Sequence, residues 1–223
     1  MRIYLDSSLV NEQTIPLLQF VEGVTFNQKI IKNEGSDYYT VIDKFANEYD
    51  KEVSVQFPLS YNLMKDYKTA KDLWELNKEN LVIKIPFCLY GVQLYNRIKK
   101  DLKDIRINCT MIWRFEQLVY ASALKPYLIS IFDHSANHQE QDALVKSKFW
   151  EYFKHLLYNT DQKIVIGQIK DLDTAKQYLR DYANTNLIIT LKPALLSAIV
   201  KSFSDEITEV EKQWSAYYYG GNV

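Results

Sequence analysis

The sequence predicts an α/β fold: a single (β/α)8 TIM barrel over residues 1–223, with an additional C-terminal helix at about 204–218. Three observations predict it. Short runs rich in Ile and Val alternate eight times with longer segments of helical period, as buried parallel strands and their crossover helices do. No linker, low-complexity stretch or shift of composition divides the chain. A length of 223 residues suits an α/β barrel that folds as one domain.

The elements follow in order. RIYLD (2–6) reads as the first strand, and Pro16 weakens the helix after it. EGVTF (22–26) is the second strand; Tyr38, Val41, Ile42, Phe45 and Tyr49 then recur at the spacing of one helix face. EVSVQF (52–57), LVIKIP (81–86), RINCTMI (106–112) and YLISIF (127–132) are the next four strands. Phe149, Trp150, Phe153, Leu156 and Leu157 mark a helix face before KIVIGQI (163–169) and NLIITLK (186–192). A last helix carries Ile207, Val210, Trp214, Tyr217 and Tyr218 on one side. The YYYGGNV tail is left open between covering a neighbouring subunit and disorder. A doubly wound open sheet competes with the barrel, but it usually shows a Gly-rich phosphate turn. Glycine is scarce here, at 6 residues, with neither GxGxxG nor GxxxxGK[ST].

Composition narrows the function classes. A net charge of -1 gives no global field for nucleic acid or an acidic membrane. No apolar run approaches the roughly 20 residues that cross a bilayer. The strand-like run from Arg2 leaves no room for a signal peptide. Cys88 and Cys109 are the two cysteines, without CxxC or zinc-like His/Cys spacing. The expectation is a cytoplasmic protein that needs no metal or cofactor.

The strands then show where polarity falls. Alternate residues of a barrel strand point to its centre, and barrel active sites lie at the strands' C-terminal ends. One parity carries Asp6; Thr25 with Asn27 just beyond; Ser54 and Gln56; Lys84; Asn108 and Thr110; Ser130 with Phe132; Gln168; and Thr190 with Lys192. Polar groups from all eight strands in one register describe a polar pocket containing a lysine. Lysine is rarely buried without a partner, so Lys84 has two readings. One is a structural ion pair with Asp6. The other is a nucleophile: desolvation lowers a lysine's pKa, and a neutral amine attacks a ketone to form a Schiff base.

IYLDSS, EGVTFNQKIIKNEG, LVIKIP, INCTM, ISIF and the terminal EITEVEKQW carry a resemblance that runs nearly end to end. They are similar to FLDTA, DGVTTNPTLIAKEG, VVVKIP, TNVTL, SPF and the last helix, near a DW pair, of the short-form transaldolases and related fructose-6-phosphate aldolases. These are class I aldolase barrels. The resemblance implies that Lys84 is the Schiff-base nucleophile and Asp6 the general acid/base. It implies that Asn27, Asn108 and Ser130 hold hydroxyls of a dihydroxyacetone unit and that Thr110 positions the catalytic water. It also implies a homo-oligomer, a pentamer or decamer, whose last helix packs on the next subunit.

Several residues depart from the family pattern. Gln56 stands where transaldolases carry glutamate and the aldolases glutamine; Phe132 matches the transaldolases, where the aldolases carry tyrosine. Neither family proton partner is present, and Asp133 and His134 are candidates to replace it. Ser135 replaces the arginine that grips phosphate, and Gln168 replaces a serine of the second phosphate motif, which keeps Lys170. Lys192 closes the eighth strand, near where barrel phosphate sites form. The expectation is a weaker phosphate site or another tail, because lysine lacks arginine's bidentate grip. His138 and His155 fit solvated helical positions, and Cys88 fits a small buried hydrophobe near the mouth.

The leading expectation is therefore transfer of a dihydroxyacetone unit from a ketose phosphate to an aldehyde. Release of free dihydroxyacetone is second, and the same chemistry on a ketose with a sulfonate or other anionic tail is third. A catalytically silent sugar-binding or assembly barrel is the alternative from another class.

Overall fold

Eight strands close into a parallel barrel in the computed structural model, which describes residues 1–218, with side chains through 212 and for Trp214. They are β1 (Arg2–Asp6), β2 (Gly23–Phe26), β3 (Glu52–Val55), β4 (Leu81–Pro86), β5 (Arg106–Ile112), β6 (Leu128–Phe132), β7 (Lys163–Gly167) and β8 (Ile188–Leu191). β1 pairs with β8 from Arg2↔Ile188 to Leu5↔Leu191. That pairing decides for the barrel and against the open sheet.

The helical layer begins with a 3-10 helix, Ile15–Phe20, with Pro16 in its first turn. It continues with α1 (Gln28–Glu34), α2 (Tyr38–Ile42), α3 (Leu63–Trp74), α4 (Leu89–Asp101) and α5 (Phe115–Ala123). α6 (Asp133–His138), α7 (Ala143–Asn159), α8 (Leu172–Asp181) and α9 (Pro193–Tyr218) complete it. The face expected from Tyr38 to Tyr49 is split: α2 widens into a π turn over Asp43–Glu48, while Val41, Ile42 and Phe45 stay buried.

Two regions of core fall out of strand alternation. Outward-facing residues such as Leu5, Val55, Ile83, Ile107, Ile166 and Leu191 are buried under the helices. Tyr4, Val82, Leu128, Val165 and Ile188 form a separate cluster. They share the parity of Asp6 and Lys84, so they fill the barrel interior below the polar positions. At the same end Glu52 accepts from Tyr4 and Tyr127 and pairs with Arg106 at 3.0 Å. The barrel is plugged from beneath, so its polar groups open in one direction.

The expected C-terminal helix is present, continuous with the helix of the eighth unit, and two other details differ from expectation. α9 runs unbroken from Pro193 to Tyr218, because no Gly or Pro interrupts it, and its outer half is the extension of the last barrel helix. Residues 201–212 of it are exposed. β5 bulges between Cys109 and Ile112, with Met111 at φ 64, so Met111 leaves the alternation. β7 ends at Gly167, and Gln168 sits at φ 62 beyond it. The interior position of β7 is therefore Gly167, not Gln168. Tail residues 219–223 lie outside the described residues.

Candidate active site

Lys84 lies in the middle of β4, opposite Asn108 of β5, and is 8% exposed. Val82, two residues before it on the same face of β4, belongs to the apolar cluster that fills the barrel beneath the amine. Burial lowers its pKa, and the charge of Asp6 opposes that shift. Its Nζ donates to Thr25 Oγ1 at 3.2 Å. No ion pair within 4.0 Å joins Lys84 to Asp6 among the described residues. The geometry therefore does not match the structural ion pair.

Asp6 ends β1 beside Thr25. Burial raises its pKa; Lys84, Lys192 and Lys170 pull it down and Glu34 pushes it up. Glu34 also fixes the loop after β1, accepting from Ser7 Oγ, Ser8 N and Ser8 Oγ at 2.6–3.2 Å. The loop that follows Asp6 is thus pinned at the strand end.

A cleft of about 140 Å³ opens above Lys84. Asp6, Asn27, Lys84, Phe132, Gln168, Lys170 and Lys192 line it, with Gly167 and Thr190. Asn27 begins α1, and its Oδ1 accepts from the amides of Lys29 and Ile30. What it has left for a substrate is the Nδ2 donor. Within the barrel wall, Ser130 Oγ donates to Asn108 Oδ1 at 2.8 Å, and Asn108 Nδ2 donates to Ser54 Oγ at 2.9 Å. Thr110 Oγ1 is buried with no hydrogen-bond partner. Such an orphaned hydroxyl calls for a water or a substrate group.

A family pattern described as Transaldolase/Fructose-6-phosphate aldolase matches residues 3–217. The chain belongs to this family. Two relatives are a "Probable transaldolase" of Methanococcus vannielii, 28% identical over 76% of this chain and 77% of the relative, and one of Clostridium botulinum, 30% identical over 59% of each. A solved structure of orotidine 5'-monophosphate decarboxylase from Methanocaldococcus jannaschii, in complex with the inhibitor BMP, superposes with a TM-score of 0.55. It covers 88% of this chain and 91% of that one at 12% identity, which shows the barrel fold alone.

Other expected positions of this transaldolase/aldolase-family chain fall outside the Lys84 cleft. Gln56 is buried just past β3 and faces a neighbouring hollow of about 570 Å³ with Cys88, Met111 and Trp113. Trp113 stacks on Phe132 at 6.1 Å, where the two hollows meet. Cys88 is exposed rather than buried, because it begins α4 at the rim. Ser135 does not line the cleft; its N and Oγ donate to Gln168 Oε1 at 3.2 and 2.8 Å. His134 is exposed and stacks on His138 at 4.2 Å, on the far side of Lys170. Asp133 is buried and accepts from Tyr178 and Asn137. Neither Asp133 nor His134 lines the Lys84 cleft, because α6 turns both away from the barrel axis.

Sequence reading passed over Gly167, Glu34 and Trp113. Glu34 was visible only as part of a motif, and Gly167 only as a gap in the polar register. Among the described residues, no group of three His, Cys, Asp or Glu is placed to hold a metal ion.

Proposed function

We propose that the protein is a Schiff-base transaldolase, moving a dihydroxyacetone unit from a ketose to an aldehyde. The observation that carries this reading is Lys84: a buried amine, its pKa lowered, at the base of a polar cleft beside Asp6. Desolvation favours the neutral form of a lysine, which is the nucleophilic one.

The chemistry balances with the groups present. The neutral amine adds to the ketose carbonyl, water leaves, and a protonated imine forms. Asp6 takes the proton of the C4 hydroxyl; the C3–C4 bond breaks, and its electron pair enters the imine to give an enamine. The aldehyde product departs. The enamine then attacks an acceptor aldehyde, and Asp6 returns the proton. Water held by Thr110 hydrolyses the new imine. Asn27 supplies a donor to the three-carbon unit, and Asn108 and Ser130 serve it once they exchange their mutual bond for substrate hydroxyls.

Lys170 and Lys192 face the rim and suit an anionic tail, as phosphate or as sulfonate. Phe132 favours transfer over release of dihydroxyacetone. The buried Gln56, the residue type the aldolases carry at this position, keeps release as a second reading. Assembly into a homo-oligomer through α9 and a reducing cytoplasmic setting, suited to two free thiols, belong to the same proposal.

Borohydride trapping tests it. Protein incubated with fructose 6-phosphate, dihydroxyacetone or a sulfonated ketose is reduced and its intact mass is read. The expected result is one covalent adduct, located on Lys84 by peptide mapping and absent in Lys84→Met. Folded protein that yields no adduct with any donor overturns the enzyme reading in favour of a silent barrel.

A further inference from the structure

The barrel mouth has two halves, and they differ in charge. Asp6, Lys170 and Lys192 line the cleft over Lys84. Beyond the ends of β3, β4 and β5 lies the hollow of about 570 Å³ that holds Gln56, and none of the described residues lining it is charged. Its volume falls within the roughly 300–1,000 Å³ of small-molecule sites, which are mostly apolar with a few placed polar groups. Pro86 belongs to its lining and lies two residues beyond Lys84 on the same face of β4. The hollow therefore begins about 7 Å up the strand from Lys84. Phe132 lines the first cleft, and its ring stacks on Trp113 of the second. That aromatic pair divides the two halves.

The walls of the uncharged half are fixed by hydrogen bonds. Gln117 Oε1 accepts from the amides of Trp113 and Arg114 at 3.1 and 3.2 Å, and its Nε2 donates to the carbonyls of Phe87 and Met111 at 3.3 Å. Buried Asp66 accepts from Ser60 N and Oγ, Tyr61 N and Tyr90 OH at 2.6–3.1 Å. That clamp holds Tyr61 at φ 59, and Met111 lies at φ 64. Side chains in the left-handed region are strained, and such strain gathers at ligand clamps; both of these residues line the same hollow. Gln56 is the group left unspent. It is 6% exposed, its N donates to Phe26 O and its O accepts from Tyr38 OH, yet its side-chain amide has no hydrogen-bond partner among the described residues. A buried amide in that state calls for a ligand or water. It offers donors and an acceptor without charge, which suits a hydroxyl or a carbonyl. Leu59, Met111, Tyr61 and Trp113 around it suit carbon, and an anion there would lose its hydration with no cation to replace it.

We propose that the hollow between Tyr61 and Trp113 binds the uncharged, apolar or aromatic substituent of the aldehyde that accepts the three-carbon unit. This rests on the proposed Schiff-base reading of the adjoining cleft and adds which acceptor the site selects. The ligand class is an aldehyde without phosphate or sulfonate, carrying a short carbon chain or an aromatic ring. Its substituent lies against Trp113, and its polar atoms meet the amide of Gln56.

The first test needs no turnover. Cys88 is exposed and lines the hollow, so its alkylation by iodoacetamide reports occupancy. Cys109 is the internal control, because it is buried and burial pushes its thiol up to about 12. The probes are 2-phenylethanol, a neutral ligand that cannot form an imine, and glycerol 3-phosphate, its anionic counterpart. 2-Phenylethanol slows alkylation of Cys88 saturably and glycerol 3-phosphate does not. In Trp113→Ala the protection weakens about tenfold, the scale of one lost aromatic contact, and Trp113→Phe restores most of it. In turnover, Trp113→Ala raises KM for phenylacetaldehyde and leaves KM for glyceraldehyde 3-phosphate near wild type. Equal protection by both probes, no protection by 2-phenylethanol, or no response to Trp113→Ala in protein with an unchanged circular dichroism spectrum overturns the proposal. Trapping of dihydroxyacetone on Lys84 in wild-type protein reports the Schiff-base reading separately, so protection without trapping removes that reading and leaves the ligand site.

Discussion

Lys84 is a cost to the fold, and its cost is measurable. The folded state binds the Lys84 proton less tightly than the unfolded chain does, because burial lowers the pKa from its ordinary 10.5. Between the lowered value and 10.5 the unfolded chain holds more protons, so stability rises with pH through that window. Below the window the penalty is complete. Lys84→Met removes it. The variant should melt at or above the wild-type temperature at pH 7, and the gap should narrow as pH climbs toward 10.5. A structural ion pair predicts the reverse, since breaking a buried pair costs about 3–5 kcal/mol. A scan of melting temperature against pH for both proteins separates the two. At this scale the sequence was informative about identity and less so about partners. A lysine between Ile83 and Ile85 announces a buried amine. That its hydrogen bond goes to Thr25 and not to Asp6 depends on how β2 and β4 lean together across β3.

At the level of elements, β4 and α4 are locked by one glycine. A Cβ on Gly91 would lie 1.9 Å from the carbonyl oxygen of Pro86, a backbone atom that cannot swing aside. Gly91→Ala should therefore destabilise the protein by about 1–3 kcal/mol, the usual range for overpacking. It should also slow adduct formation, because the strand it displaces carries Lys84. Urea denaturation and trapping rates check the two halves; a fully stable, fully reactive variant would show that α4 shifts freely. All eight strands were readable from alternating Ile and Val, with ends a residue or two off. The misplaced features are those where the backbone leaves the alternation. Met111 and Gln168 have positive φ, and side-chain order along a strand carries no mark of that. Likewise the continuity of α9 hid behind a lapse in apolar spacing over Ser202, Ser204 and Asp205, which solvent tolerates on an exposed helix.

For the molecule as a whole, α9 raises the question of assembly. Phe203 touches Phe20 at 6.5 Å, while Ile207, Val210 and Trp214 stay exposed beyond it. The proposed homo-oligomer would bury these three against another copy. Sedimentation should then give a mass well above 26.3 kDa, and Trp214→Glu should return the protein to that monomer mass. A wild-type monomer at micromolar concentration would remove assembly from the proposal. No helix among the described residues is long and apolar enough to cross a membrane.

The order of residues along the chain is enough for the strands, for the inward and outward faces of all of them but β7, and for the family. All three follow from local order: period-two alternation sorts side chains, and short motifs such as LVIKIP keep their residues adjacent. Tertiary structure alone decided which polar groups share a space. Closure of β1 on β8 sets Asp6 near Lys192, and the left-handed turn at Gln168 spends it on Ser135. The end of β3 opens Gln56 to a different hollow. These relations join residues far apart in the chain through backbone angles and strand tilt, which the identity of neighbouring side chains does not encode.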